Sequence, residues 1–258
     1  MFPMRKIYLI WPLLAAMLLM ASCRSHYTLT GINRTRILID SHYDTNPDQA
    51  AAAFIAPYKH QVDSIMDPVL GIVAHDMEAA RPESDLSNLL ADILVWAAPQ
   101  YGETPDLGIY NMGGIRAALT RGEVTYGDVL DVAPFENKIS FITLSGESLT
   151  KLFRQIAKRG GEGVSSSVRM VITHDGELRS ATVNGKPIDP EANYRLTTID
   201  YLLGGNDGMS AFTEGTNTVA PKDSSNNTRF IIMNYFREQK AKGNIVDARV
   251  EGRIVVEN

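Results

Sequence analysis

A single cysteine, Cys23, occurs among 258 residues, so no internal disulfide can form and no cysteine cluster can hold a metal. Histidine is nearly as sparse. His26, His42, His60, His75 and His174 are scattered, and none has the spacing of a ligand pair. His75-Asp76 looks like half a catalytic pair, but adjacent residues on a strand point to opposite faces. Positive charge is also scarce: 25 Lys and Arg stand against 30 Asp and Glu, a formal charge of −5. That balance argues against a general nucleic-acid binder, and a phosphate would have to be met by a few placed arginines. No phosphate loop is present either, because Gly161-Glu162-Gly163 is not followed by G-K-[ST]. What remains is ordinary: 44% hydrophobic and 21% charged residues describe a folded chain of one large or two small domains.

The one long uncharged run is N-terminal. Arg5-Lys6 precedes Ile7 to Ser22, and Leu19-Met20-Ala21-Ser22-Cys23 has small residues just before a cysteine. This reads as the signal peptide and lipobox of a bacterial lipoprotein, with residues 1–22 removed and Cys23 lipidated. A transmembrane anchor is the alternative, since the run is near spanning length. Arg24 stands where an acidic residue would favour inner-membrane retention, so the expected place is the outer membrane, on its periplasmic or surface face. Residues 23–35 read as a tether and 36–258 as the folded domain.

Within that domain Pro47-Asp48 opens an alanine-rich helix that runs towards Met66 with a disturbance expected at Pro57. Ser84 is a candidate N-cap for a helix whose apolar positions are Leu86, Leu89, Leu90, Ile93 and Leu94. A second amphipathic helix carries Leu149, Leu152, Phe153 and Ile156 and stops at Gly160-Gly161. Strands are predicted at 69–74, 107–110, 138–144, 168–172, 181–183, 194–199 and 249–256, with Asn184-Gly185 as a hairpin turn. A fourth helix is predicted over 228–239, after a polar, exposed stretch from 213 to 227.

Chemistry gathers around Asn111-Met112-Gly113-Gly114-Ile115-Arg116. Two glycines at a strand end let a ligand approach main-chain N–H groups, Asn111 both donates and accepts, and Arg116 offers a planar fork for an anion. A tight turn with a surface arginine would leave the same trace. Phe135, in the loop Pro134-Phe135-Glu136-Asn137, is either a hydrophobic plug or a stacking platform, and Asp207 is either a turn residue or an acceptor framed by glycines.

Four stretches, in order, resemble the C-terminal domain of bacterial and animal 5′-nucleotidases: Arg81-x-Glu83-Ser84-x-Leu86-x-Asn88-Leu89, Asn111 to Arg116, Pro134 to Asn137, and Tyr201-Leu202-Leu203-Gly204-Gly205-Asn206-Asp207-Gly208. The resemblance runs from about residue 65 to the C-terminus. It implies an α+β fold of two mixed sheets packed together with outer helices, layered α/β/β/α. It also implies a nucleotide site in which Asn111, Gly113, Gly114 and Arg116 face the phosphate, with Arg81 as a further phosphate-side arginine. Phe135 and Tyr201 sandwich the base and Asp207 takes the ribose hydroxyls. Three departures stand out. Tyr201 replaces the more usual phenylalanine, Asn206 replaces a glycine and is expected to adopt a left-handed backbone, and Met209 replaces an aromatic and is expected to loosen the wall of the site.

In that family catalysis belongs to an N-terminal metallophosphoesterase domain with D-x-H, G-N-H-[DE] and H-x-H ligands, and nothing in this sequence matches them. The resemblance therefore implies the substrate-binding half of a split 5′-nucleotidase, inactive alone and without a cofactor of its own. Divalent metals are expected only in a separately encoded catalytic chain. A nucleoside-binding lipoprotein for scavenging, or a degenerate structural module, is the alternative.

Overall fold

The computed structural model describes residues 27–45 and 47–257, so the expected signal segment and Cys23 lie outside the described residues. The chain divides into two units, Met1–Ala52 and Ala53–Asn258. The described part of the first is exposed, with one 3-10 turn at Ser41–Thr45. Helix α1 (Gln49–Met66) begins where the Asp48 carboxylate accepts from the amides of Ala50 and Ala51 at 2.9 and 3.1 Å. It runs through Pro57 as one element, so the disturbance expected there does not divide it, and no residue of it is buried.

From there the order is β1 (Val69–Val73), α2 (Asp85–Ala97), β2 (Leu107–Tyr110), β3 (Gly122–Thr125), α3 (Tyr126–Val132), β4 (Ile139–Ser145), α4 (Gly146–Lys158), β5 (Gly163–Val164), β6 (Val168–Thr173), β7 (Leu178–Val183), β8 (Lys186–Pro187), β9 (Asn193–Ile199), α5 (Asp200–Leu203), β10 (Thr216–Val219), α6 (Thr228–Ala241) and β11 (Ile254–Glu257). Two mixed sheets dominate, as the α+β expectation requires. One has the order β10-β4-β9-β2-β5 and the other β11-β6-β7-β8, with β1 and β3 forming a separate ribbon. In the first sheet β2 and β9 run parallel and their other neighbours antiparallel; in the second only β11 and β6 are parallel.

The helices form where apolar stripes meet these sheets. Leu86, Leu89, Leu90, Ile93 and Leu94 of α2 are all buried. Fully burying each such side chain is worth about 1.5–3 kcal/mol. Ser84 caps α2, accepting from the Ser87 amide, while the Ser87 hydroxyl accepts from the Ser84 amide. Helix α4 buries Leu149, Leu152, Phe153 and Ile156 and touches strands of both sheets.

Two stretches depart from the sequence reading. The strand predicted over 249–256 is confined to Ile254–Glu257, because a side chain takes the earlier backbone groups. The buried Glu83 carboxylate accepts from the amides of Glu251 and Arg253, both at 2.7 Å, and from Asn88 Nδ2 at 2.6 Å. The polar stretch 213–227 contains β10, an exposed edge strand on β4.

What positions the site is the end of the first sheet. Parallel β2 and β9 finish side by side, so the residues that follow them, Asn111 and the run from Asp200 to Gly208, leave at one edge. Strand β4 is antiparallel to β9, with Ile139 opposite Ile199, which places Phe135 to Asn137 at that same edge. Strand β5 is antiparallel to β2, with Gly163 opposite Tyr110, which brings Arg159 to Glu162 there too.

Candidate functional site

At this edge a cavity of about 180 Å³ is lined by Asn111, Gly113, Gly114, Phe135, Asn137, Tyr201 and Asp207. Six of the eight binding positions read from the sequence therefore meet in one place. Asn137 is a seventh lining residue that the sequence reading quoted within a motif without assigning it a role.

Asp207 is the hub. It lies in the 3-10 turn Asn206–Gly208 with φ 55°, a left-handed conformation that aspartate tolerates better than most residues. The turn falls on Asp207, with Gly205 and Gly208 at φ 76° and 71°. Asn206, expected to be left-handed, is not; its side-chain amide donates to the Tyr201 carbonyl at 2.7 Å. Met209 is fully buried in the core, so it does not form the cavity wall.

The Asp207 carboxylate is already occupied from several sides. Asn111 Nδ2 donates to Oδ2 at 2.7 Å, the Tyr201 hydroxyl donates to Oδ1 at 3.2 Å, and Arg159 Nη2 lies 3.9 Å from Oδ2. The Asp207 charge opposes ionisation of the Tyr201 phenol and holds its pKa above the usual value, with burial and the hydrogen bond acting the same way. Replacing Asp207 by Asn is expected to lower the Tyr201 pKa, readable by NMR titration of labelled tyrosine; an unchanged titration would contradict the contact.

Gly113 and Gly114 keep the turn slim. A Cβ on Gly114 would come within 2.6 Å of Asn111 Oδ1, itself a buried atom with no hydrogen-bond partner among the described residues, and one on Gly113 would stand 3.6 Å from Asp207 Oδ2. Phe135 is 46% exposed, so it is no plug. Tyr201 is held by the start of α5, where the Asp200 amide donates to the Lys138 carbonyl at 2.8 Å and the Asp200 carboxylate accepts from the Lys138 amide at 3.0 Å.

The two arginines are placed differently. Arg116 lies beyond the Met112–Gly114 turn, exposed, and its guanidinium has no ion pair or hydrogen bond among the described residues. Arg81 does not line the cavity. Its Nε donates to the Gly161 carbonyl at 2.8 Å and its Nη2 to Glu162 Oε1 at 2.6 Å.

Glu162 is the residue that sequence reasoning missed. Buried, it accepts from Arg81 and from Arg159 Nε at 2.6 Å on one oxygen and from the Met112 amide at 2.5 Å on the other. It thereby fixes the Met112–Gly114 turn and aims Arg159 towards Asp207. Burial opposes the charge on Arg159, but the hydrogen bond to Glu162 and the charges of Glu162 and Asp207 outweigh it and raise its pKa. The signal available in the sequence was the Arg159-Gly160-Gly161-Glu162 run, which reads only as a helix stop. At Gly161 a Cβ would sit 2.1 Å from the Pro82 carbonyl, so the glycine is needed for the segment to pass Arg81-Pro82. Among the described residues no group of three or more His, Cys, Asp or Glu side chains converges as a metal site would.

Residues 69–214 match the family model of the 5′-nucleotidase C-terminal domain. The cell wall protein Lmo0130 of Listeria monocytogenes is 26% identical over 234 residues, covering 81% of this chain and 29% of that protein. The trifunctional nucleotide phosphoesterase YfkN of Bacillus subtilis is 26% identical over 86% of this chain and 16% of that protein. Among solved structures, the 5′-nucleotidase precursor of Thermus thermophilus superposes with a TM-score of 0.70 at 26% identity, covering 83% of this chain and 45% of that one. The chain thus spans less than half the length of each of these proteins.

Proposed function

The chain belongs to the family of 5′-nucleotidase C-terminal domains, and from that premise we propose that its cavity holds a nucleoside or nucleotide. The base stacks between Phe135 and Tyr201, the ribose hydroxyls donate to Asp207, and the phosphate reaches Arg116. One observation carries this reading: two partly exposed aromatic rings, 46% and 40%, line the same small cavity as a carboxylate. The rings make no contact with each other among the described residues, which leaves the space between them to a ligand. Stacking contributes about 1–3 kcal/mol per base–ring pair and is tolerant of base identity, so affinity comes with little base selection. Arg116 suits the phosphate because its guanidinium is uncommitted among the described residues, whereas two nitrogens of Arg81 are bound to protein.

In this proposal the hydrolytic step is supplied by a separately encoded metallophosphoesterase chain, whose two divalent ions would clamp the attacking and leaving oxygens. Helix α1 supports such a partner. Phe54, Tyr58, Val62 and Ile65 fall on one face of it and are 72%, 62%, 53% and 50% exposed, an apolar stripe of the kind that interfaces cover. The stripe lies just before residue 69, where the family match begins. Attachment to the cell envelope through a lipid on Cys23 completes the proposal, and the name of the Listeria relative, a cell wall protein, is consistent with it. No helix among the described residues is long and apolar enough to cross a membrane.

The test is capture of the native protein with identification of a co-purifying metallophosphatase, then AMP hydrolysis by that partner with and without this chain. A change in rate or substrate preference is expected, and Phe54→Glu with Val62→Glu should abolish both capture and effect. If the hydrolysis is the same with and without the chain, the split-enzyme reading falls.

A further inference from the structure

Resting on the nucleotide reading of the cavity, we infer that Arg159 is a specificity-determining residue that reads the ligand's sugar jointly with Asp207. One sugar hydroxyl bridges the two side chains, donating its proton to Asp207 Oδ2 and accepting from Arg159 Nη2. Glu162 makes this possible. Its Oε1 accepts from Arg159 Nε at 2.6 Å, which fixes the guanidinium by its inner nitrogen. Among the described residues that is the one hydrogen bond the guanidinium makes, so both outer nitrogens keep their donors. The Arg159 side chain is 31% exposed, which leaves those donors open to a ligand.

Nη2 stands 3.9 Å from Asp207 Oδ2. That is too long for a hydrogen bond and suits an oxygen placed between the two groups. An oxygen about 2.9 Å from a guanidinium nitrogen and about 2.7 Å from a carboxylate oxygen sees them about 90° apart here, so one hydroxyl can use its proton and a lone pair together. Oδ2 has the capacity. A carboxylate oxygen takes two donors, and among the described residues Asn111 Nδ2 is the one hydrogen-bond donor on it, at 2.7 Å. The Tyr201 hydroxyl stays on Oδ1, so the tyrosine ring keeps its place for stacking on the base. A ligand without the bridging hydroxyl leaves a charged donor and a charged acceptor unpaired at once, which costs more than a single missing bond.

Calorimetric titration of the full chain with adenosine, 2′-deoxyadenosine and 3′-deoxyadenosine, repeated on two variants, tests this. Arg159→Lys keeps a cation against the buried Glu162 but has no second nitrogen for the sugar, and Arg159→Gln keeps a neutral donor to Glu162 on a shorter side chain. The wild-type protein is expected to bind adenosine at least about tenfold more tightly than one of the two deoxy analogues, whose missing hydroxyl is then the bridging one. In either folded variant that preference should shrink to about threefold or less, through weaker adenosine binding, while the same analogue binds about as it does to the wild type. A residue that only supports the fold would weaken all three ligands by one factor and leave the preference intact; that result overturns the inference, as does wild-type binding of all three alike. Both leave nucleoside binding standing. Binding of none of the three by the wild-type protein overturns the cavity reading itself, and this inference with it.

Discussion

Glu162→Ala should lower the melting temperature by about 10 °C and remove nucleoside binding as well. The residue is buried and accepts from Arg81, Arg159 and the Met112 amide. Its loss leaves two guanidinium groups without their carboxylate and a main-chain N–H without an acceptor. Breaking a buried charge pair from one side costs about 3–5 kcal/mol, and a domain of this size loses roughly 2–4 °C per kcal/mol. Binding goes because the same carboxylate fixes the Met112–Gly114 turn and aims Arg159 towards Asp207, 3.9 Å away. Glu162→Gln should be intermediate: its oxygen can accept one hydrogen bond while its amide nitrogen faces donors. Thermal melts followed by adenosine titration decide the matter, and a melting temperature within about 2 °C of wild type would show that Glu162 does not anchor the turn.

That anchor was invisible in the sequence for a physical reason. Local patterns report on neighbours along the chain, and they served well where the structure is local. The Ser84 cap, the apolar stripe of α2 and the Gly160-Gly161 stop of α4 follow from side chains a turn apart. Strand order does not follow from such patterns. The parallel pairing of β2 with β9, which brings Asn111 within 2.7 Å of an aspartate 96 residues later, had to come from the family resemblance. Glu162 belongs to the same non-local class, since its donors Arg81 and Met112 lie 81 and 50 residues away. Asn206 misled for the opposite reason: asparagine favours a left-handed backbone, yet the two flanking glycines let the turn fall on Asp207. Arg81 and Arg116 looked alike as sequence arginines. Only the packing separates the one committed to Glu162 from the one left uncommitted.

Asp207→Ala is expected to weaken adenosine binding by about 100-fold. Hydrogen bonds to a charged group contribute about 1.5–3 kcal/mol each, and a carboxylate that meets one or two sugar hydroxyls supplies that much directly. The alanine also strands Asn111 Nδ2 and places a Cβ-bearing apolar residue at φ 55°, so part of its effect would be destabilisation. Asp207→Asn separates the two contributions. Asparagine tolerates the left-handed backbone, its side-chain oxygen can still accept from Asn111, and only the charge and the second acceptor are lost. Its melting temperature should therefore stay within about 3 °C of wild type, while adenosine binding still falls by about tenfold, because neutral acceptors are roughly half as strong as charged ones. If Asp207→Asn binds adenosine as the wild type does, Asp207 is a turn residue only, and the sugar must be held by another group.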